Sequence, residues 1–176
     1  METKFSGKAL VLGKNIDTDQ IYPGRFLEIT DPAKIGKLCL SGIDPAIAPN
    51  FPKGGIIVAG TNFGCGSSRE HAAIALIQMG VGVIVAGSFA RIFFRNAINL
   101  GMPLVSCAGI SDIVKAGDEI TVDISLGLVT VERTGEKLSF PPMSKHAMSI
   151  LSAGGIKPLM RERTKMGLLK NPDMPN

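Results

Sequence analysis

The sequence predicts an α/β fold made of a parallel α/β layer and a smaller, β-barrel-like part. Short apolar runs alternate with helical segments up to Cys107, which is the order expected of parallel strands joined by helices. Beyond Cys107, short segments alternate apolar and polar residues around glycine turns, and this pattern indicates a β-meander. The chain has 176 residues, of which 45% are apolar and 19% charged, enough apolar side chain to close one core.

The parallel layer is predicted element by element. A strand over Phe5–Leu12 leads into NIDTDQIYPGRF, a loop dense in turn-forming residues. A short helix is expected over Pro32–Cys39 with Asp31 as its N-cap, followed by a proline-rich irregular connection. The other elements follow in order: the strand GGIIVAG, the glycine-rich loop TNFGCGSS, the helix SREHAAIALIQMG, the strand VGVIVAG, the helix SFARIFFRNAINLG and the strand PLVSC.

The second part is predicted to contain the β-meander and a closing helix. The expected elements are strands over Glu119–Ile124, Leu128–Glu132 and Lys137–Phe140 and a helix over Ser144–Ser152. We therefore expect a single folded domain over residues 1–159 and a basic C-terminal tail over residues 160–176.

The positive charge of the chain is concentrated near its C-terminal end. The formal net charge is +4, but five basic residues lie between positions 157 and 170, so the rest of the chain is close to neutral. A solvated tail is the expected interpretation, and an arm for nucleic acid or a membrane is the alternative. Because aromatic residues make up only 5% of the chain, a stacking platform for single-stranded nucleic acid is not expected.

Cysteine usage and the N-terminal sequence predict a cytoplasmic protein. The three cysteines lie far apart, which argues against a disulfide framework, and METKFSGKAL has no apolar core of signal-peptide length. The uncharged stretch Ala72–Ala90 is long enough to span a bilayer, but glycines interrupt it. A helix, a turn and a buried strand explain this stretch better than a membrane segment does.

The run GTNFGCGSSREHA at residues 60–72 carries the strongest chemical signal. Its glycines permit backbone conformations that other residues avoid, and Ser67 and Ser68 are expected where the following helix begins. Together with Arg69, that helix start would attract an anion and place two hydroxyls beside it. The alternative is plain helix capping, because Ser67 and Glu70 fit the spacing of a capping box. The run lacks the lysine of a phosphate-binding P-loop and the third glycine of a dinucleotide fingerprint.

Three segments together resemble the swivel-domain signature of the aconitase superfamily. They are GTNFGCGSSREHA, the NIDTDQI segment at residues 15–21, and the SFARIFFRNAIN segment at residues 88–99. Within that superfamily the chain is most similar to small subunits of isopropylmalate dehydratases, over about residues 5–159. The resemblance implies a swivelling β/β/α domain and a hydro-lyase that dehydrates and rehydrates a hydroxy acid.

The resemblance also implies roles for individual residues and for a partner. Ser67 would be the base that takes a proton from the carbon beside a carboxylate, while Ser68 and Arg69, with Gly66 in the same loop, would bind substrate. A separate large subunit would hold a [4Fe-4S] cluster through its own cysteines. No cluster is expected on this chain, because Cys39, Cys65 and Cys107 contain no C-x-x-C pair. Whether the chain forms a homo-oligomer when it is isolated from that subunit is left open.

A second predicted substrate contact is the segment Arg25, Phe26, Leu27 and Glu28, where related enzymes differ in substrate choice. An acidic Glu28 would repel an additional carboxylate, which disfavours homoaconitate. The segment leaves open isopropylmalate and related acids such as dimethylmalate or citramalate, or Glu28 simply faces solvent. A hypothesis from another class is a non-catalytic anion-binding or assembly module that uses the same site.

Overall fold

One seven-stranded sheet organises the molecule. The computed structural model describes residues 2–168. The sheet contains β1 (Lys4–Leu12), β2 (Ile56–Ala59), β3 (Val83–Ala86), β4 (Leu104–Ser106), β5 (Glu119–Asp123), β6 (Leu128–Val131) and β7 (Glu136–Ser139). Its strand order is β4-β3-β2-β1-β5-β6-β7. The first four strands of that order are parallel, and β5, β6 and β7 form the predicted antiparallel meander.

Strand β1 joins the two halves of the sheet. Its first half, residues 4–8, pairs antiparallel with β5, and its second half, residues 9–12, pairs parallel with β2. Every residue of β2 and β3 is buried, as expected for strands covered on both faces. The meander strands β5 and β6 instead alternate buried and partly exposed residues, because one of their faces meets solvent.

Eight α-helices accompany the sheet in the described part of the chain. They are α1 (Thr18–Ile21), α2 (Pro32–Lys37), α3 (Ile47–Asn50), α4 (Glu70–Met79), α5 (Arg91–Asn99), α6 (Ile110–Ile113), α7 (Lys145–Ser152) and α8 (Ile156–Lys165). None of the helices within residues 2–168 has the length and apolar character needed to cross a membrane.

Two apolar cores lie on opposite faces of the sheet. Helices α2, α4, α5 and α7 cover one face, where Leu76 and Ile84 are buried. On the other face, Val58 of β2 belongs to the same cluster as Val129 and Val131 of β6. Strands from both halves of the sheet therefore line one core, which requires the sheet to curl over it. The predicted α/β fold class, a parallel layer with a barrel-like part, is confirmed.

The predicted strands and longer helices are present, but three short helices, α1, α3 and α6, and the longer α8 were not predicted. Within the predicted NIDTDQI loop, α1 begins after a capping box in which Asp17 and Gln20 exchange hydrogen bonds of 2.7 and 2.9 Å. Helix α3 lies in the connection predicted as irregular, and α6 lies in a segment for which no element was predicted. The predicted boundary at residue 159 falls inside α8, and residues 169–176 of the predicted tail lie outside the described residues.

Candidate functional site

An open cleft of about 660 Å³ lies at the edge of the sheet where the parallel strands end. The loops that follow β1, β2 and β3 meet there and are held together by hydrogen bonds. Asn15 donates its backbone N–H to the Thr61 carbonyl at 2.9 Å, and the N–H of Phe63 bonds the Ser88 carbonyl at 3.0 Å. Ligands in open α/β sheets bind at this edge, so the cleft is the candidate site.

The loop of residues 64–69 forms one wall of the cleft, and two glycines fix its path. Gly64 has φ of +80° and lies so close to Phe93 that a Cβ would come within 2.5 Å of the ring carbon Cδ1. Gly66 has φ of +92°, and a Cβ there would lie 3.3 Å from the Thr18 hydroxyl oxygen. Both positions therefore need glycine for conformation and for space.

A short ladder of hydrogen bonds attaches this loop to residues 16–18. The N–H of Gly64 donates to the Ile16 carbonyl at 2.7 Å, and the N–H of Thr18 donates to the Cys65 carbonyl at 2.9 Å. The Thr18 hydroxyl then donates to the Ser67 carbonyl at 3.1 Å. The 64–69 loop is consequently held from the side by the segment that begins α1.

Ser67 and Ser68 are exposed in the cleft, but neither begins the helix. Helix α4 starts at Glu70, with Arg69 in an extended conformation at the N-cap position and no side chain capping the helix. The predicted capping box of Ser67 and Glu70 is therefore wrong. Its physical reason is the ladder, because the hydrogen bond from the Thr18 hydroxyl engages the Ser67 carbonyl three residues ahead of the first helical turn.

The side chain of Arg69 extends from the 64–69 loop to residues 19–24, in the segment that follows β1. Its guanidinium forms an ion pair with Asp19 and lies against Gly24, where a Cβ would be 3.4 Å from one guanidinium nitrogen. Asp19 also accepts the N–H of Gly24 at 3.0 Å. The hydrogen bond from Arg69 and then that from Gly24 lower the pKa of the Asp19 carboxyl, so this contact is charged on both sides at neutral pH.

Two further arginines line the cleft, and the sequence analysis did not single them out. Arg91 and Arg95 are exposed residues one turn apart at the start of α5. In the described part of the chain, neither forms an ion pair with an acidic side chain. The signal was available in RIFFRNA, where an arginine pair at helical spacing flanks the buried Phe93. The cleft thus holds three guanidinium groups that stay charged at any ordinary pH.

The cleft also has an apolar side. Phe89, Ile92 and Phe93 line it beside the arginines, and Ile92 keeps 54% of its surface exposed. Beneath them, Phe63 is fully buried and contacts Phe89 and Phe93 edge-to-face, with ring centroids 6.0 and 5.4 Å apart. An amphipathic ligand with carboxylates and an alkyl group matches this lining.

The predicted contact segment at residues 25–28 does not line this cleft. Arg25 faces a neighbouring cavity of about 350 Å³, which Asp19 and Gly24 also line, and its guanidinium lies 4.5 Å from the ring centre of Phe26. Glu28 is exposed, as in the solvent-facing alternative. The structure therefore brings Gly66, Ser67, Ser68 and Arg69 together but leaves residues 25–28 on the far side of Arg69.

The cysteines of the described residues do not form a metal site. Across residues 2–168, no group of three or more His, Cys, Asp and Glu side chains is placed to hold a metal ion. Cys39 and Cys107 are buried in different cores, and burial raises the pKa of each thiol. Cys65 is partly exposed in the 64–69 loop. The side chains of residues 2–168 therefore offer no ligand set for a [4Fe-4S] cluster.

Comparison with known proteins identifies the family. Residues 48–107 match the model of the aconitase C-terminal domain. The chain is 48% identical to 3-isopropylmalate dehydratase small subunit 1 of Methanopyrus kandleri, over 92% of this chain and 95% of that protein. It is 43% identical to the isopropylmalate/citramalate isomerase small subunit of Methanocaldococcus jannaschii, over 93% of this chain and 97% of that protein.

A solved structure gives the same assignment. The crystal structure of 3-isopropylmalate dehydratase from M. jannaschii superposes with a TM-score of 0.89 at 36% identity, covering 96% of this chain and 99% of that one. These matches confirm the resemblance that the three sequence segments predicted. The chain belongs to the family of 3-isopropylmalate dehydratase small subunits, within the aconitase superfamily.

Proposed function

We propose that this chain is the small subunit of a heteromeric hydro-lyase that interconverts 2-isopropylmalate and 3-isopropylmalate by removing and re-adding water. The observation that carries this proposal is the exposed Ser67 and Ser68 beside three arginines in a cleft with an apolar side. Family membership supports the reaction class, because its relatives at 43–48% identity include named dehydratase small subunits.

In this proposal Ser67 takes the proton from the carbon beside a substrate carboxylate. A serine hydroxyl is a weak base unless positive charge or hydrogen-bond donors stabilise its alkoxide form. Ser67 stands outside the first turn of α4, so the guanidinium groups that share its cleft supply the stabilising charge. Their effect grows when a partner covers the cleft and excludes water.

Arg69 and Ser68 bind a substrate carboxylate in this proposal. The guanidinium of Arg69 is held on one side by Asp19, which fixes its orientation and leaves its remaining N–H groups for a ligand. Arg91 and Arg95 supply charge for a second carboxylate, and Ile92 with Phe89 offers apolar surface to the substrate's alkyl group. Gly66 lets the backbone pass close to Thr18 without a side chain in the way.

The partner in this proposal is a cluster-bearing large subunit. The cleft is open, and the described side chains offer no ligand set for a cluster, so the [4Fe-4S] group of the proposed enzyme belongs to the other polypeptide. When bound there, such a cluster supplies a Lewis-acid iron that polarises the substrate hydroxyl. The residues of this chain would bind and orient the acid and hold the abstracted proton on the Ser67 oxygen.

Citramalate is the second candidate substrate. The relative from M. jannaschii at 43% identity is named for both isopropylmalate and citramalate isomerisation. A methyl group in place of the isopropyl group would leave part of the apolar side of the cleft unfilled, so we expect isopropylmalate to be the better substrate.

Reconstitution with the large subunit tests the proposal. We expect the purified chain alone to be inactive, and the pair with an intact cluster to interconvert the isopropylmalates. The ultraviolet absorbance of the unsaturated intermediate measures the reaction. Ser67→Ala should abolish turnover while the two subunits still associate. The matched control is Ser139→Ala, an exposed serine on β7 outside the cleft, which should retain full activity. Normal turnover by Ser67→Ala would contradict the assignment of the base.

A further inference from the structure

The buried Thr18 is fixed against the loop that carries the proposed base. Only 2% of its surface is exposed, and it is one of two buried polar or charged residues in the described part of the chain. A buried hydroxyl needs a hydrogen-bond partner, and this one has the Ser67 carbonyl at 3.1 Å. The backbone N–H of Thr18 also donates a hydrogen bond to the Cys65 carbonyl, at 2.9 Å.

The side chain of Thr18 continues a ladder that the backbone begins. Two backbone hydrogen bonds, from Gly64 to Ile16 and from Thr18 to Cys65, hold the loop up to residue 65. Past that point, Gly66 has positive φ and the backbones no longer pair. The Thr18 hydroxyl forms the next hydrogen bond of the ladder, to the carbonyl of Ser67, two residues beyond Cys65. Ser67 is the residue whose side chain faces the cleft.

The absence of a side chain at residue 66 makes this rung possible. A Cβ on Gly66 would lie 3.3 Å from the Thr18 oxygen, closer than ordinary van der Waals contact. The capping box of α1 in turn fixes the backbone of Thr18, since Asp17 and Gln20 bond each other's N–H groups on either side of it.

From this arrangement we propose that Thr18 is a positioning residue for catalysis, which sets the place of the Ser67 hydroxyl through a hydrogen bond to the Ser67 carbonyl. The inference rests on the proposed function of Ser67. Because Ser67 is exposed, water replaces the lost donor when the Thr18 hydroxyl is removed, so the fold is retained while the loop loses its fixed position. Misplacing a catalytic group by about 1 Å costs roughly 100-fold in rate.

A pair of variants separates positioning from packing. Thr18→Val keeps the shape of the side chain and removes the hydroxyl, whereas Thr18→Ser keeps the hydroxyl and removes the methyl group. With the large subunit and intact cluster, we expect Thr18→Val to lower kcat roughly 10- to 100-fold with KM changed by less than about threefold. Thr18→Ser should restore most of the rate, and both variants should bind the large subunit as the unmodified chain does.

Hydrogen–deuterium exchange on the isolated chain gives a second measurement that needs no activity. We expect Thr18→Val to speed deuterium uptake in residues 64–69 and to leave β5 and β6 unchanged, while Thr18→Ser resembles the unmodified chain. Unchanged uptake in Thr18→Val, or an unchanged kcat, would overturn the inference. An inactive unmodified pair would instead count against the proposed function, and the exchange result would still decide whether Thr18 fixes the loop.

Discussion

Gly64 offers a sharp test of how the cleft is built. It combines a left-handed backbone, with φ of +80°, and direct contact with the ring of Phe93 on α5. Replacing it with alanine adds one methyl group where neither the backbone nor the neighbouring side chain has room. Phe93 cannot move aside easily, because it is buried and packs against Phe63.

The size of the effect follows from two separate costs. A residue with a Cβ in the left-handed region costs about 1–2 kcal/mol, and overpacking a filled core costs about 1–3 kcal/mol more. We therefore expect Gly64→Ala to lower the free energy of unfolding by about 2–5 kcal/mol. That is a large share of the 5–15 kcal/mol that is typical of a domain.

A matched glycine separates the two costs. Gly117 has nearly the same φ, +83°, but a Cβ there would meet nothing within 4 Å. Gly117→Ala should therefore cost only the backbone term, about 1–2 kcal/mol. Urea unfolding followed by circular dichroism measures both variants. With a slope of about 2 kcal/mol per molar, the midpoint should fall by roughly 1–2.5 M for Gly64→Ala and by about half that for Gly117→Ala.

The two glycine variants should differ in how much they lower the free energy of unfolding. Equal losses in the two variants would mean that the contact between residue 64 and the Phe93 ring adds nothing to the backbone cost. The packing of the 64–69 loop on α5, on which the shape of the cleft depends, would then have to be reconsidered.

Two further predictions concern charged groups. Arg69→Lys should lower kcat/KM for isopropylmalate about 10- to 100-fold, because an ammonium cannot keep the planar contact with Asp19 while it binds a carboxylate. Steady-state kinetics measures this effect, with Arg161→Lys at an exposed position as the control. Unchanged kinetics would contradict the proposal that Arg69 binds a substrate carboxylate. The bidentate hydrogen bonds from Arg133, at 2.8 and 3.1 Å, lower the pKa of Asp118 to about 2 from its usual 3.8. Its contribution to stability is therefore complete above about pH 5 and is lost progressively as the pH falls through 3.8 toward about 2. The difference in unfolding free energy between the unmodified chain and Asp118→Asn should therefore shrink over that interval in urea titrations, and a difference independent of pH would refute the linkage.

Local patterns in the sequence were sufficient to predict the strands and their division into a parallel layer and a meander, but not their order in one sheet. Runs such as GGIIVAG and VGVIVAG are apolar at every position, which predicts strands buried on both faces, and β2 and β3 are buried at all four residues. The meander was equally predictable, because its strands β5 and β6 alternate apolar and polar residues. Helix α1 was missed because Asp17 and Thr18 favour turns as strongly as caps, although the Asp-x-x-Gln spacing was a capping signal.

The candidate site was only partly predictable because it depends on contacts between distant segments. The run GCGSSR indicated the loop with Ser67 and Arg69, but local spacing suggested a capping box at Ser67. The hydrogen bonds to residues 16–18, nearly fifty positions away, decide instead where α4 begins. Arg91 and Arg95 enter the cleft because of where α5 follows β3, and the pattern of α5 alone does not reveal that. The roles of the residues in the cleft remain predictions.

The central position of β1 has a consequence for how the chain acquires its fold. This strand precedes all the others, yet one of its edges pairs with β2 more than forty residues later, and the other with β5, where Lys4 meets Asp123. During synthesis on the ribosome, both edges stay uncovered until those distant segments emerge, and the second closure waits for most of the domain. Such long-range pairing slows folding and exposes strand edges to other chains. Co-production with a chaperone, or with the large subunit, should therefore raise the soluble yield of this chain more than lowering its surface hydrophobicity would.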